Sequence, residues 1–175
     1  MNHGPQVIGL YDPAFIDAVN PFRVKLGLPL LKANQPADFS GDWLLIEDKS
    51  MLNNSPGGLP HKLKVYQDEN QISIKKAFIE EWTDDRTSEE KISLDGKENK
   101  SETFGSENIL TASLSANKDT LTIKAKISFK NGMQTAQRNT TENWWLQNAG
   151  SVLTIQQSVI SLNGERRTIM VYEKE

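Results

Sequence analysis

The sequence predicts an all-β protein, an up-and-down antiparallel β-barrel of about ten strands with a short, partly helical N-terminal arm. Three observations support this prediction. From Phe39 onward, apolar and polar residues alternate with a period of two. Turn signals separate these runs at regular intervals, and no stretch after Phe39 has a helical period. Short turns between consecutive strands favour a meander that closes into a barrel, because closure removes the sheet edges. A β-sandwich is the alternative.

The alternation is clearest around Ile123, where apolar residues alternate with Lys124, Lys126 and other polar residues. This pattern is typical of an antiparallel strand with one buried face and one solvated face. The same reasoning places ten strands at 43–48, 62–68, 71–79, 87–94, 100–104, 108–115, 120–130, 134–146, 152–161 and 166–173.

The predicted turns carry the residues that accept positive φ. Asp95-Gly96, Asn131-Gly132 and Asn163-Gly164 are strong hairpin signals for this reason. Trp82 lies in the polar stretch 80–86, which is also expected to be a turn.

Residues 1–38 form the predicted arm, and residues 39–175 form the barrel. Asp12 is a suitable N-cap and Pro13 suits the first helical position, so a short helix is expected over 13–19. It should end before Asn20-Pro21, because the residue before a proline disfavours the helical region. The arm is too short to bury a core of its own.

Composition excludes several classes of site. The 175 residues include no cysteine, which excludes disulfide scaffolds and cysteine-based zinc or iron–sulfur sites. The net charge of −3 provides no basic excess for nucleic-acid binding. Only His3 and His61 are present, and His61 has no second ligand near it in sequence. We therefore predict no metal and no cofactor.

Membrane and targeting signals are absent from the sequence pattern. No run of about 18 apolar residues occurs, so no membrane span is predicted. A basic segment followed by an unbroken apolar stretch is also missing. The location is expected to be periplasmic or secreted if a signal peptide was removed, and cytoplasmic otherwise. The oligomeric state stays open, including a dimer through the arm.

Short motifs at both ends of the predicted barrel are similar to those of known families. Phe39-Ser40-Gly41-Asp42-Trp43 resembles the F-x-G-x-W opening of the calycin superfamily, and Met170-Val171-Tyr172-Glu173-Lys174 resembles the last strand of the intracellular fatty-acid-binding proteins. Segments between them resemble small bacterial lipocalin-like proteins, among them 94–98, 119–123 and 164–166. The resemblance implies a ligand-binding barrel over 39–175 in which Trp43 closes one end against a basic side chain.

Two departures from the fatty-acid-binding proteins limit what the resemblance implies. Only residues 50–60 separate the first two strands, so the helical lid of that family is missing. Met170 stands where those proteins have a carboxylate-binding arginine, and Tyr172 alone is carried over. The arm could replace the lid through Phe15, Ile16 and Val19, or it could pack outside the barrel or dock on a second copy.

Several polar residues share the inward face of the predicted strands. Arg138 and Glu142 are in phase with Trp144, Lys76 is in phase with Ile74, and Gln157 is in phase with Ile155. We hypothesise that they bind a small amphipathic or anionic ligand inside the barrel. The alternative is that they lie in solvent near the open end or pair with each other. The candidate ligand-binding residues are Lys76, Arg138, Glu142, Trp144, Gln157 and Tyr172.

Catalytic signatures are missing, since the sequence has neither a nucleophile elbow nor a phosphate-binding glycine loop. We therefore predict non-catalytic binding of a small hydrophobic or amphipathic ligand. The alternative is a filled barrel that acts as an interaction or accessory module of the bacterial envelope, and an isomerase or decarboxylase of the calycin fold is a third class. Cavity volume discriminates between the first two, because ligand sites usually exceed about 300 Å³.

Overall fold

The structure, a computed structural model, describes residues 13–28, 36–53, 58–131 and 134–175. Its contacts divide the chain between Pro36 and Ala37. The second unit contains ten strands: β1 (Gly41–Leu45), β2 (Lys62–Gln67), β3 (Gln71–Phe78), β4 (Arg86–Ser93), β5 (Asn99–Thr103), β6 (Ser106–Leu114), β7 (Thr120–Asn131), β8 (Gln134–Gln147), β9 (Val152–Ser161) and β10 (Gly164–Lys174).

The strands form one antiparallel sheet with the order β4-β3-β2-β1-β10-β9-β8-β7-β6-β5. Each strand pairs with its neighbour in sequence, apart from β4 with β5, and β1 also pairs with β10. The predicted up-and-down barrel is therefore confirmed, and each predicted strand overlaps an observed one. The first strand ends three residues early, because the chain turns into a 3₁₀ helix at Glu47–Lys49.

The barrel is nearly closed, with its seam between β4 and β5. These two strands share no ladder and stand at the two ends of the sheet order. Near the β4–β5 turn a backbone-to-side-chain hydrogen bond crosses the seam: the Ser93 backbone N–H donates to Asn99 Oδ1 at 3.2 Å. At the opposite end the Arg86 guanidinium lies over the Phe104 ring, 4.3 Å from its centroid.

An up-and-down arrangement puts alternate turns at opposite ends of the barrel. We call the end with the β2–β3, β4–β5, β6–β7 and β8–β9 turns the closed end, and the other end the mouth. The largest buried apolar side chains concentrate towards the closed end. The buried apolar residues that do not line a cavity are Phe39, Trp43, Val65, Ile72, Ile74, Ile92, Ala112, Leu121, Val152 and Leu153.

Trp43 seals the closed end. Its indole N–H donates to the Phe39 carbonyl at 2.9 Å, and the Lys174 ammonium lies 5.3 Å from the ring centroid. Lys174 reaches Trp43 by crossing Gly41, where an added Cβ would lie 2.5 Å from its Cε. Gly41 also has a φ of +148°, so the glycine of the opening motif serves both the backbone and this contact.

The helix of the first unit, α1 (Pro13–Lys25), begins at the expected proline but is longer than predicted. The prediction that it ends before Asn20-Pro21 was wrong, because the helix continues through Pro21 for another turn. Proline removes one backbone hydrogen bond, and the preference against a helical residue before it is not absolute. The side chains of Phe15 and Ile16 lie outside the described residues, so the lid role of the arm stays a prediction.

Candidate ligand-binding cavity

A cavity of about 610 Å³ occupies the barrel between the closed-end core and the mouth. Its inner part is lined by Leu63, Trp144, Met170 and Tyr172, and its outer part reaches the β3–β4, β5–β6 and β9–β10 turns. The lumen is therefore not filled by aromatic side chains, which the accessory-module alternative required. All six residues predicted from phase and resemblance line this cavity.

Lys76 crosses the lumen and pairs with carboxylates on two walls. Its ammonium lies 3.2 Å from Glu90 Oε2 on β4 and 3.9 Å from Glu142 Oε1 on β8. All three side chains are largely buried. A buried ion pair needs such close partners, since removal from water opposes each charge. The three residues therefore link opposite walls of the barrel at mid-height.

Glu142 is the centre of this cluster. Its Oε2 accepts a hydrogen bond from Trp144 Nε1 at 2.9 Å, and its Oε1 accepts one from Gln157 Nε2 at 2.9 Å. The carboxylate thus has partners from three strands. Four of the predicted residues pair with each other, as the alternative interpretation expected, and they do so inside the barrel.

Burial and the charges of the cluster together shift the pKa values of two cavity groups. Burial alone lowers the pKa of Lys76, but the negative charges of Glu142 and Glu90 outweigh it and hold this pKa above the ordinary lysine value. Burial raises the pKa of Tyr172, and the charge of Glu142 raises it further. Lys76 is therefore charged and Tyr172 neutral across the physiological range.

Tyr172 connects the cavity to the β1–β2 connection. Its hydroxyl donates to the Pro60 carbonyl at 2.9 Å and lies 3.5 Å from Met170 Sδ. The side chain is fully buried, so its hydroxyl needs this acceptor. Met170 contributes an apolar side chain to the cavity wall and carries no charge.

Arg138 differs from the other predicted residues because its buried side-chain nitrogen, Nε, has no hydrogen-bond partner. No acidic side chain among the described residues lies within ion-pair distance of it. It pairs in the sheet with Ile127 and lies two inward positions nearer the mouth than Glu142. Arg138 is thus a cavity cation with unused donors.

Sequence reasoning missed several polar residues of the cavity wall, among them Glu90, Thr103 and Asn108. For two of these residues, alternation with apolar residues in the sequence indicates the inward face. Glu90 is in phase with Ile92 on β4, and Asn108 is in phase with Leu110 and Ala112 on β6. Thr103 lies on the short, polar strand β5, where no apolar residue indicates the inward face.

Two other residues considered from the sequence lie away from the cavity wall. His61 Nε2 lies 3.1 Å from Asp85 Oδ2. Trp82 is fully exposed in the β3–β4 turn.

Over the described ranges, no group of three or more histidine, cysteine or acidic residues could hold a metal ion. None of the helices in the described part of the chain is long and apolar enough to span a membrane.

Comparison with known proteins identifies a likeness in fold to a solved structure. No protein-family model and no curated protein matches the chain. Among solved structures, the chain is similar to the crystal structure of zebrafish ileal bile acid-binding protein complexed with cholic acid. The two chains are 14% identical with a TM-score of 0.49, and the match covers 78% of this chain and 98% of that chain.

Proposed function

We propose that the protein binds a small hydrophobic or amphipathic molecule inside the barrel and does not transform it. The observation that carries this proposal is the cavity of about 610 Å³, which exceeds the lower bound for small-molecule sites. Ligand pockets combine apolar side chains with polar groups that fix the orientation of the ligand, and the wall of this cavity contains both kinds of residue.

The lining supports an amphipathic ligand. One sector of the wall is apolar and is formed by Leu110, Ile123, Ala125, Ile127 and Phe129. Arg138 supplies a positive charge on the neighbouring strand, with no acidic partner among the described residues. An alkyl or ring system of the ligand would bury apolar area against the apolar sector, which stabilises the complex by roughly 25 cal/mol per Å². An anionic group of the ligand would pair with Arg138.

The chemistry of the cluster supports binding without catalysis. A lysine nucleophile must lose its proton, but Glu90 and Glu142 raise the pKa of Lys76. Both oxygens of Glu142 already accept hydrogen bonds from Trp144 and Gln157. The charged groups at mid-height therefore stabilise one another and leave no free acid–base pair.

Filling the cavity tests this function. Ala125 faces the cavity from β7, whereas Lys126 next to it is exposed on the outer face. We expect Ala125→Trp to weaken binding of dodecanoate and dodecanol at least about 10-fold, because the indole occupies the space that the chain needs. Lys126→Trp is the matched control and should bind like the parent.

Isothermal titration calorimetry measures both affinities, and circular dichroism checks that the variants are folded. Parent protein that binds neither probe, or equal binding by Ala125→Trp and Lys126→Trp, would contradict the proposed function.

A further inference from the structure

Three buried polar atoms without partners lie in one sector of the cavity wall. They are Thr103 Oγ1 on β5, Asn108 Oδ1 on β6 and Arg138 Nε on β8. All three residues line the cavity. Asn108 is only 4% exposed, so open solvent does not satisfy its side chain.

Sheet register brings these residues together. Asn108 on β6 pairs with Ile127 on β7, and Ile127 pairs with Arg138 on β8. Asn108 and Arg138 therefore lie in one row across three adjacent strands, with Ile127 between them. Two interstrand spacings separate the Cα atoms of Asn108 and Arg138 by about 10 Å. The direct partner of Asn108 on β5 is Ser101. Thr103 lies two residues beyond Ser101 and is therefore the diagonal neighbour of Asn108.

Neighbouring side chains do not satisfy the Asn108 amide oxygen. Ser101 stands directly opposite on β5, yet its hydroxyl is also buried without a hydrogen bond. The Lys76–Glu90–Glu142 cluster, in contrast, satisfies its members internally. Buried polar groups in folded proteins are nearly always hydrogen-bonded, so a group of them without protein partners in a cavity needs polar partners there, which a ligand or water molecules would supply.

The chemistry of the three atoms defines the ligand group. The Arg138 guanidinium only donates, and an anionic oxygen is its strongest acceptor. Asn108 Oδ1 needs a donor, which a carboxylate lacks at neutral pH. A hydroxyl both donates and accepts, so one hydroxyl pairs with Asn108 and also with the Thr103 hydroxyl.

We propose, on the basis of the proposed function, that the ligand is a hydroxylated amphipathic acid. Its acid group pairs with Arg138, and a hydroxyl close to that acid group pairs with Asn108 and Thr103. Its hydrocarbon part extends beyond the hydroxyl and packs on the apolar wall, which includes Ile127 and Ala125. The acid and hydroxyl sit above the Lys76 cluster, on the mouth side of the cavity.

Three probes of equal chain length test this assignment by calorimetry: 3-hydroxydodecanoate, dodecanoate and dodecanol. We expect the parent protein to bind the hydroxy acid about 3- to 10-fold more tightly than dodecanoate, the gain typical of one added hydrogen bond. Asn108→Leu should remove this preference and keep the preference for dodecanoate over dodecanol. Arg138→Leu should remove the preference of acid over alcohol.

Thr103→Val provides a second test of the hydroxyl subsite, and it should reduce the preference for the hydroxy acid. Thr111→Val is the matched control, because Thr111 is out of phase with the inward residues Leu110 and Ala112 on β6, does not line the cavity and should change neither preference.

Equal affinity of the parent for 3-hydroxydodecanoate and dodecanoate would overturn the inference and leave the proposed function standing. The inference would also be overturned if Asn108→Leu and Thr103→Val both kept the full preference for 3-hydroxydodecanoate over dodecanoate, since water would then be the partner of these atoms. Failure of all three probes to bind the parent would overturn both proposals.

Discussion

The closed end and the mouth of this barrel are built from the same strands but differ in the residues that face the lumen. On β3, Ile72 and Ile74 face the closed-end core, whereas Lys76 and Phe78 face the cavity. On β8, Trp144 borders the core, whereas Arg138 and Thr140 line the cavity. The inward alternation is unbroken along each strand, and only the residue type at the inward positions changes. The packed core and the cavity therefore occupy different halves of one sheet.

The Lys76–Glu142 pair marks the boundary between the halves. Below it, apolar side chains fill the lumen, and Phe39 contacts Trp144 edge to face with ring centroids 6.1 Å apart. Above it, the wall carries polar atoms without partners. A charged pair across the lumen keeps the upper half from being filled like the lower half, because apolar side chains packed around it would remove the charges from water.

The largest expected effect comes from truncating one isoleucine in each half. Ile72 is fully buried at the closed end, and Ile127 lines the cavity. Ile72→Ala should lower the free energy of unfolding by about 3–4 kcal/mol, since it leaves a void in a packed core. Ile127→Ala should lower it by only about 1 kcal/mol, because the space beside it is already empty. Urea unfolding measures both, and equal losses would remove the distinction between the two halves.

A smaller effect is expected at the boundary. Lys76→Met leaves Glu90 and Glu142 facing each other without a cation, which should lower the free energy of unfolding by about 2–3 kcal/mol. Replacing both carboxylates as well, with Glu90→Gln and Glu142→Gln, should restore most of this loss.

Lys75→Met is the control for this series. Lys75 precedes Lys76 on β3 and is exposed on the outer face, so its replacement should cost less than about 0.5 kcal/mol. A loss as large as that of Lys76→Met would show that the cross-lumen pair contributes nothing specific.

Lys76 and Tyr172 should also make the free energy of unfolding fall at alkaline pH. The folded-state pKa of Lys76 and that of Tyr172 both lie above their ordinary values, 10.5 and 10.0. Above these values the folded chain therefore binds more protons than the unfolded chain, and the free energy of unfolding falls as pH rises. The slope reaches at most about 1.4 kcal/mol per pH unit for each group.

Urea unfolding between pH 9 and pH 12 measures this dependence. Tyr172→Phe should fall less steeply than the parent, because one of the two titrating groups is gone. Tyr66→Phe should follow the parent curve, since Tyr66 is exposed on the outer face. Identical curves for Tyr172→Phe and the parent would contradict the assignment of this alkaline sensitivity to the cavity.

The fold was predictable because its signal is local. Strict alternation over 120–130 and turn residues such as Asn163-Gly164 define strands and hairpins without any knowledge of distant contacts. The same phase argument placed Lys76, Arg138, Glu142 and Gln157 on the inward face, and all four line the cavity. The helix in the arm was predicted too short, since a local proline rule could not anticipate continuation through Pro21.

By itself, the sequence determined which residues face the lumen, because side-chain direction alternates along a strand whatever lies opposite. Only the tertiary structure decided which inward residues meet. Lys76 and Glu142 lie 66 positions apart in sequence and pair across the lumen, whereas Arg138, on the same face of β8 as Glu142, has no acidic partner among the described residues. The reason is geometric: closure of the sheet and the register of its strands set the distance across the barrel, and neither is encoded in the alternation of a single strand.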